Sequence, residues 1–88
     1  MKAEYLKQFS KDLSKINDET LKTNLFDVII ILKNAESLNL ISNIKKMKGH
    51  SEAYRMRIGK YRFGFYFDGE IIQLARFAKR EDIYKLFP

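Results

Sequence analysis

The sequence predicts an α+β domain in the order β-α-α-β-β-β-short α. Three observations carry that prediction. Apolar residues recur at helical spacing through the first third of the chain. From Tyr54 onward the period becomes two. Two glycine-containing pairs, Gly59-Lys60 and Asp68-Gly69, then interrupt the alternating runs where hairpin turns belong. The expected architecture is an N-terminal helical hairpin packed on a small twisted antiparallel sheet.

The elements follow in order. Lys2 to Leu6 reads as a short first strand with Ala3 and Tyr5 on one face. Phe9, Leu13 and Ile16 then mark a first helix, with Ser10 a candidate cap and Asn17-Asp18 its end. Asp18 is placed to cap a second, longer helix whose apolar stripe is Leu21, Leu25, Val28, Ile29 and Leu32. Glu19 in its first turn suits the helix dipole. Asn34 to His50 is irregular, with Leu38, Leu40, Ile41, Ile44 and Met47 able to pack down. Tyr54, Met56 and Ile58 then face one side and Arg55 and Arg57 the other. Past the first turn, Tyr61, Phe63, Phe65 and Phe67 continue the apolar face opposite Arg62, Gly64 and Tyr66. Glu70 to Phe77 is apolar enough on both faces to be an interior strand, and Arg80 to Phe87 reads as a short terminal helix or turn stopped by Pro88.

An 88-residue chain fits one domain, residues 1–88, with no linker, repeat or low-complexity tract. A domain of this size buries roughly 60–65% of its unfolded surface, enough for a thin core without staples. There is no cysteine and a single histidine, which argues against thiolate zinc sites and disulfides; neither a metal nor a cofactor is expected. The longest apolar run, Val28 to Leu32, is far short of the roughly twenty residues a bilayer requires, so no membrane association is expected and the cytoplasm is the anticipated location.

Charge is distributed unevenly. Residues 1–44 carry six lysines against six acids, so the whole net charge of +6 lies in residues 45–88. Every arginine lies there too: Arg55, Arg57, Arg62, Arg76 and Arg80. Planar guanidinium groups grip phosphate and carboxylate through paired hydrogen bonds. Arg55, Arg57 and Arg62 could simply be the solvated residues of a half-buried sheet. Yet the face has no acid between Arg55 and Arg62, and like charges on neighbouring strands repel. An anionic ligand explains that accumulation. Tyr84 and Tyr66 are the aromatics nearest this face by pattern, Tyr66 as half-exposed packing and Tyr84 as a surface on which an unstacked base could lie.

Three blocks carry a resemblance to a known family: Ile44-Lys45-Lys46-Met47-Lys48-Gly49, Tyr54-Arg55-Met56-Arg57-Ile58-Gly59-Lys60-Tyr61-Arg62-Phe63 and Lys79-Arg80-Glu81-Asp82-Ile83-Tyr84. In this order and spacing they resemble the RelE/ParE superfamily, the toxin halves of type II toxin–antitoxin pairs. The resemblance implies a helical hairpin on an antiparallel sheet. For the RelE-like branch it implies metal-independent endoribonuclease cleavage of mRNA, commonly against ribosomal RNA in the 30S A site. It also implies a small cognate antitoxin that covers the basic sheet face in a hetero-oligomer. The ParE-like branch instead inhibits DNA gyrase without nuclease chemistry, and a degenerate nucleic-acid-binding module is a third possibility.

Carried over residue by residue, the RelE-like pattern makes Arg62 and Arg80 the clamps on the reacting phosphate. Tyr84 orients the nucleotide or moves a proton, and Arg57 and Lys79 complete the catalytic set. Arg55, Lys46 and Lys48 are expected to hold RNA phosphates. Lys79 stands where many relatives have histidine, arginine is an implausible base, His50 lies away from the motif and Glu52 matches only loosely. The proton acceptor is left open.

Overall fold

The computed structural model describes residues 1–88. Its elements are β1 (Lys2–Tyr5), α1 (Lys7–Ser14), α2 (Glu19–Asn34), a 3-10 turn (Leu38–Leu40), β2 (Ile44–Lys46), β3 (Ala53–Ile58), β4 (Tyr61–Phe67), β5 (Ile71–Lys79) and α3 (Arg80–Leu86). The five strands form one sheet in the order β1-β5-β4-β3-β2. The three long strands make the expected antiparallel meander, β4 is central, and β5 is interior as anticipated. Two features go beyond the sequence reading. β1 returns beside β5 in parallel, making the sheet mixed, and β2 adds a short antiparallel edge to β3.

Period-two alternation separates the two faces of the sheet. On one face, Phe63 and Phe65 of β4 and Met56 of β3 meet Phe9 of α1 and Leu25, Ile29 and Leu32 of α2. Phe65 is wholly enclosed and stacks on Tyr54 with ring centroids 5.6 Å apart. On the other face a small second cluster forms from Ala53, Ala75, Ile83 and Phe87, which seats α3 across β4 and β5. A register shift between Gly64 and Phe65 makes room for Ala75 on that face.

The helix ends show which local rules prevailed. Asp18 caps α2, its carboxylate accepting the Leu21 N–H at 3.1 Å. Ser10 does not cap α1; the helix begins three residues earlier, at Lys7. The Leu6 N–H donates to the Leu74 carbonyl, and the Leu6 carbonyl accepts from Ser10. Strand pairing to β5 therefore delivers the chain straight into the helix, and Ser10 is left on its exposed flank. Asp68-Gly69 turns the chain between β4 and β5 with Gly69 at φ +103°. The Asp68 carboxylate accepts the N–H groups of Glu70 and Ile71, so the loop is three residues, not two.

Asp12 is the polar pin of the helical face. It is 8% exposed and sits beyond the end of β1, where the edge of β5 is open. Its carboxylate accepts from Arg76 Nε at 2.9 Å, Arg76 Nη2 at 3.1 Å and the Phe77 N–H at 2.9 Å. The Asp12 hydrogen bonds raise the Arg76 guanidinium above its ordinary pKa. Arg76 is thereby structural and stands outside the arginine cluster. No helix is long and apolar enough to cross a membrane.

Two truncations should separate packing from pairing. Phe65→Ala should cost about 3–5 kcal/mol. Asp12→Ala should cost about 2–3 kcal/mol, because it strands the Arg76 charge and the Phe77 N–H together. Thermal unfolding followed by circular dichroism checks both, with a shift of about 4–8 °C expected per kcal/mol. An unchanged melting temperature for Asp12→Ala would remove it from that role.

Candidate nucleic-acid interface

The interface is built on the β3–β4 hairpin. Gly59, at φ +58°, closes the turn in a left-handed conformation that β-branched or bulky residues resist. The resulting register puts Arg57 directly opposite Arg62 and Arg55 opposite Gly64. All three arginines therefore share the face away from the main core, as the alternation requires. α3 joins them through its first residue, whose N–H donates to the Lys60 carbonyl at 3.0 Å. That bond ties the start of α3 to the hairpin tip. Around the junction lies a cavity of about 470 Å³ lined by Lys60, Arg62, Lys79, Arg80 and Glu81.

Tyr84 lies one helical turn after Arg80, on the same side of α3. Its ring covers Arg55, whose Cζ is 4.6 Å from the ring centroid, a cation–π arrangement. The two residues have opposite exposures: Arg55 is 9% exposed and Tyr84 is 57% exposed. Arg55 Nη1 is enclosed and has no hydrogen-bond partner. A buried donor without a partner is a costly arrangement. Arg55 also lines a second cleft of about 310 Å³ with Asn43, Ile44, Lys45, Met56, Arg57 and Arg62.

Arg62 bridges the two cavities. Its Nη1 donates to the Gly59 carbonyl at 3.0 Å and the Tyr61 carbonyl at 2.9 Å, folding the side chain against the turn. Desolvation lowers its pKa, and the neighbouring charges of Arg57, Arg80 and Arg55 push the same way, although it remains cationic. Tyr84 also shifts downward. The approach of Arg80 to its hydroxyl is the largest cause; desolvation opposes it, and the positive charges of Arg55 and Arg80 add to the lowering.

Arg55, Arg57, Arg62, Lys79, Arg80 and Tyr84 thus come together around the two cavities and α3. Lys46 and Lys48 do not. In register, Lys46 pairs with Tyr54 and so stands on the helix-side face, while Lys45 pairs with Arg55 and stands on the arginine face. β2 has only three residues, two of them lysines, too few to show an alternation in the sequence. Lys48 lies in the loop after β2, beside Lys46 and His50 on a different surface. Glu52 immediately precedes β3, about 16 Å along the strand from Arg57 at roughly 3.3 Å per residue. Tyr66 packs on Phe87 with centroids 5.1 Å apart, as half-exposed packing should.

Lys45, Lys60, Glu81 and Gly64 have places in the site that the sequence did not reveal. Lys60 appears only as a turn residue, and the placement of Glu81 depends on where α3 starts. Gly64 looks like an ordinary strand interruption. A Cβ there would fall within 3.0 Å of three ring atoms of Phe87, so the absence of a side chain is required by close packing.

No family model matches the chain. It is 37% identical over 89 residues to Toxin RelE3 of Methanocaldococcus jannaschii, covering all of both chains. The toxin chain solved in the RelB–RelE antitoxin–toxin complex from Methanococcus jannaschii shares 36% identity at a TM-score of 0.79, with 96% of this chain and 98% of that one aligned. YafQ from E. coli, at 14% identity and a TM-score of 0.67, covers 93% of this chain and 96% of its own and shares the fold. Full-length identity at this level, on the same mixed sheet and helical hairpin, places the chain in the RelE family of type II toxins.

Proposed function

We propose that this chain is the toxin of a toxin–antitoxin pair and acts as an endoribonuclease on mRNA, with the translating ribosome as its setting and a small antitoxin as its partner. One observation carries the reading: Tyr84 lies against Arg55 and Arg80, and Arg80 in turn lines a cavity with Arg62 and Lys79. An inhibitor acting only through protein contact has no use for a phenol with a lowered pKa beside a pocket of cations. The 36%-identical relative solved as an antitoxin–toxin complex supports the partner.

The chemistry follows from the geometry. RNA cleavage without a metal needs the 2′-oxygen to attack the adjacent phosphorus in line. The bond from that oxygen to phosphorus forms as the bond to the 5′-oxygen breaks, giving a cyclic phosphate and a 5′-hydroxyl. Arg62 and Arg80 supply fixed positive charge where the phosphorane gathers negative charge, an effect of several kcal/mol in a preorganised site. Arg62 is already held by two backbone carbonyls, so little reorganisation is required as charge develops. The Tyr84 phenolate, favoured by its neighbours, accepts the 2′-hydroxyl proton. Lys79, an ammonium donor lining the same cavity, protonates the departing 5′-oxygen. Arg57 neutralises a flanking phosphate. Arg55, enclosed beneath the phenol, is assigned to holding Tyr84 and not to gripping the RNA backbone.

Two measurements test this. After induction of the protein, mRNA 5′ ends should be mapped in cells. Phased cuts are expected, and they should vanish with Arg80→Ala. Intact mRNA accompanied by DNA breaks would replace the nuclease with gyrase inhibition. The second measurement is a pH profile of cleavage by purified protein. A phenolate base makes the rate rise with pH and level off above the phenol's pKa, which the two arginines hold below the ordinary value near 10. Arg80→Gln should move that limb to higher pH, and Tyr84→Phe should abolish it while the protein stays folded. A limb that persists in Tyr84→Phe would assign the proton acceptor elsewhere.

A further inference from the structure

We propose that Gly64 and Phe87 form a knob-and-hole pair that positions Tyr84 and Arg80, although neither residue touches substrate. Its catalytic consequence rests on the nuclease reading above, whereas the positioning itself does not. α3 has seven residues, too few to hold a helix in water by themselves. Its placement must come from tertiary contacts, yet most of its side chains are exposed, including Arg80, Tyr84 and Leu86. Only Ile83 and, just past the helix, Phe87 are buried. They pack on Ala53 and Ala75, residues too small to make a deep socket of their own.

The depth comes from Gly64. The Phe87 ring occupies the space a Cβ at Gly64 would need, with three of its atoms within 3.0 Å of that position. Tyr66 closes the socket from the side, and the Phe87 N–H donates to the Ile83 carbonyl at 2.9 Å, tying the knob to the last turn of α3. At the other end, the Arg80 N–H is fastened to the hairpin tip. α3 is therefore pinned at both ends, with Tyr84 between the pins.

The strand register links the socket to the chemistry. Gly64 lies directly opposite Arg55, the cation beneath the Tyr84 ring. One position in the sheet thus holds both the hole that receives Phe87 and the guanidinium that receives Tyr84. A methyl group at Gly64 would lift Phe87, and Tyr84, three residues earlier, would lift off Arg55 with it. A displacement of about 1 Å can cost on the order of 100-fold in rate.

The experiment uses the full chain and two independent readouts. The first is the Arg55 Nε–H resonance in protein labelled at arginine, which the ring current of Tyr84 shifts in the wild type. The second is steady-state cleavage of an RNA that the wild-type protein cuts. Gly64→Ala should fold, lose the Arg55 shift and lose about 10–100-fold in kcat. Its KM should change little, because Arg57, Arg62 and Lys79 still hold phosphate. Adding Phe87→Leu, which shrinks the knob, should restore part of both the shift and kcat. A folded Gly64→Ala protein with the wild-type resonance and kcat overturns the proposal, as does a double variant whose losses simply add. If Gly64→Ala does not fold, Phe87→Ala, which empties the socket without a collision, is read the same way. An Arg55 shift that depends on Gly64 in a protein that cleaves no RNA would defeat the nuclease reading and leave the positioning intact.

Discussion

The register of the β3–β4 hairpin is the constraint on which the rest of this structure depends. Because the side-chain period of a strand is two, a slip of one residue would turn one strand over relative to the other, burying either Arg55 and Arg57 in place of Met56 or Arg62 in place of Phe63 and Phe65. The cost of burying even one unpaired guanidinium group excludes those alternatives far more strongly than any turn preference could. The left-handed Gly59 turn and the hydrophobic alternation agree on one register. Every element of the candidate site is placed relative to it. The Arg80 N–H binds the carbonyl of a turn residue, Phe87 sits over Gly64, and Tyr84 lies over Arg55.

The chain also shows what an arginine looks like when its role is to stabilise the fold. Arg76 is matched by Asp12 in the only ion pair within 4.0 Å, and that carboxylate also satisfies an open backbone N–H on β5. The arginines of the interface receive no such treatment. Arg57 faces Arg62 across the strands, an arrangement that costs stability, and Arg62 settles for carbonyl oxygens. Five acids lie in residues 45–88, yet none is drawn into an ion pair with Arg55, Arg57, Arg62 or Arg80. A fold that pairs Arg76 fully and leaves Arg57, Arg62 and Arg80 without an acid suits the anionic substrate proposed above.

Much of this was legible in the sequence wherever a period was long enough to read. The α2 stripe, the hairpin faces and the grouping of Arg55, Arg57 and Arg62 all follow from spacing, because helix and strand periodicity are local properties. The parallel return of β1 beside β5 was not legible, since four residues set no register and their partner lies some seventy positions away. The Ser10 assignment failed for the same reason: the start of α1 is dictated by the Leu6–Leu74 hydrogen bond and not by a local cap. That Lys45, and not Lys46, shares the arginine face was not legible because a three-residue edge strand carries no readable alternation. Gly64 shows the limit most plainly. Its significance lies in an atom it lacks, and only the position of Phe87, twenty-three residues later, reveals it.

The Arg55–Tyr84 contact explains why the effects of removing Tyr84 cannot be read simply. A buried guanidinium with a partnerless nitrogen is tolerable only while something electron-rich covers it, and the exposed phenol ring provides that cover. The dependence runs both ways, for the cation adds to Arg80's lowering of the phenol's pKa and helps fix the orientation of its ring. Truncating Tyr84 to alanine would therefore remove the proposed proton acceptor and uncover Arg55 in one step. Water, or the RNA itself, could then reach a guanidinium that the intact site withholds. Phenylalanine at the same position keeps the ring over the cation and deletes only the hydroxyl. The difference between the two substitutions isolates the ring's positioning role from the proton's, and it separates a tyrosine that shelters an arginine from one that also performs chemistry.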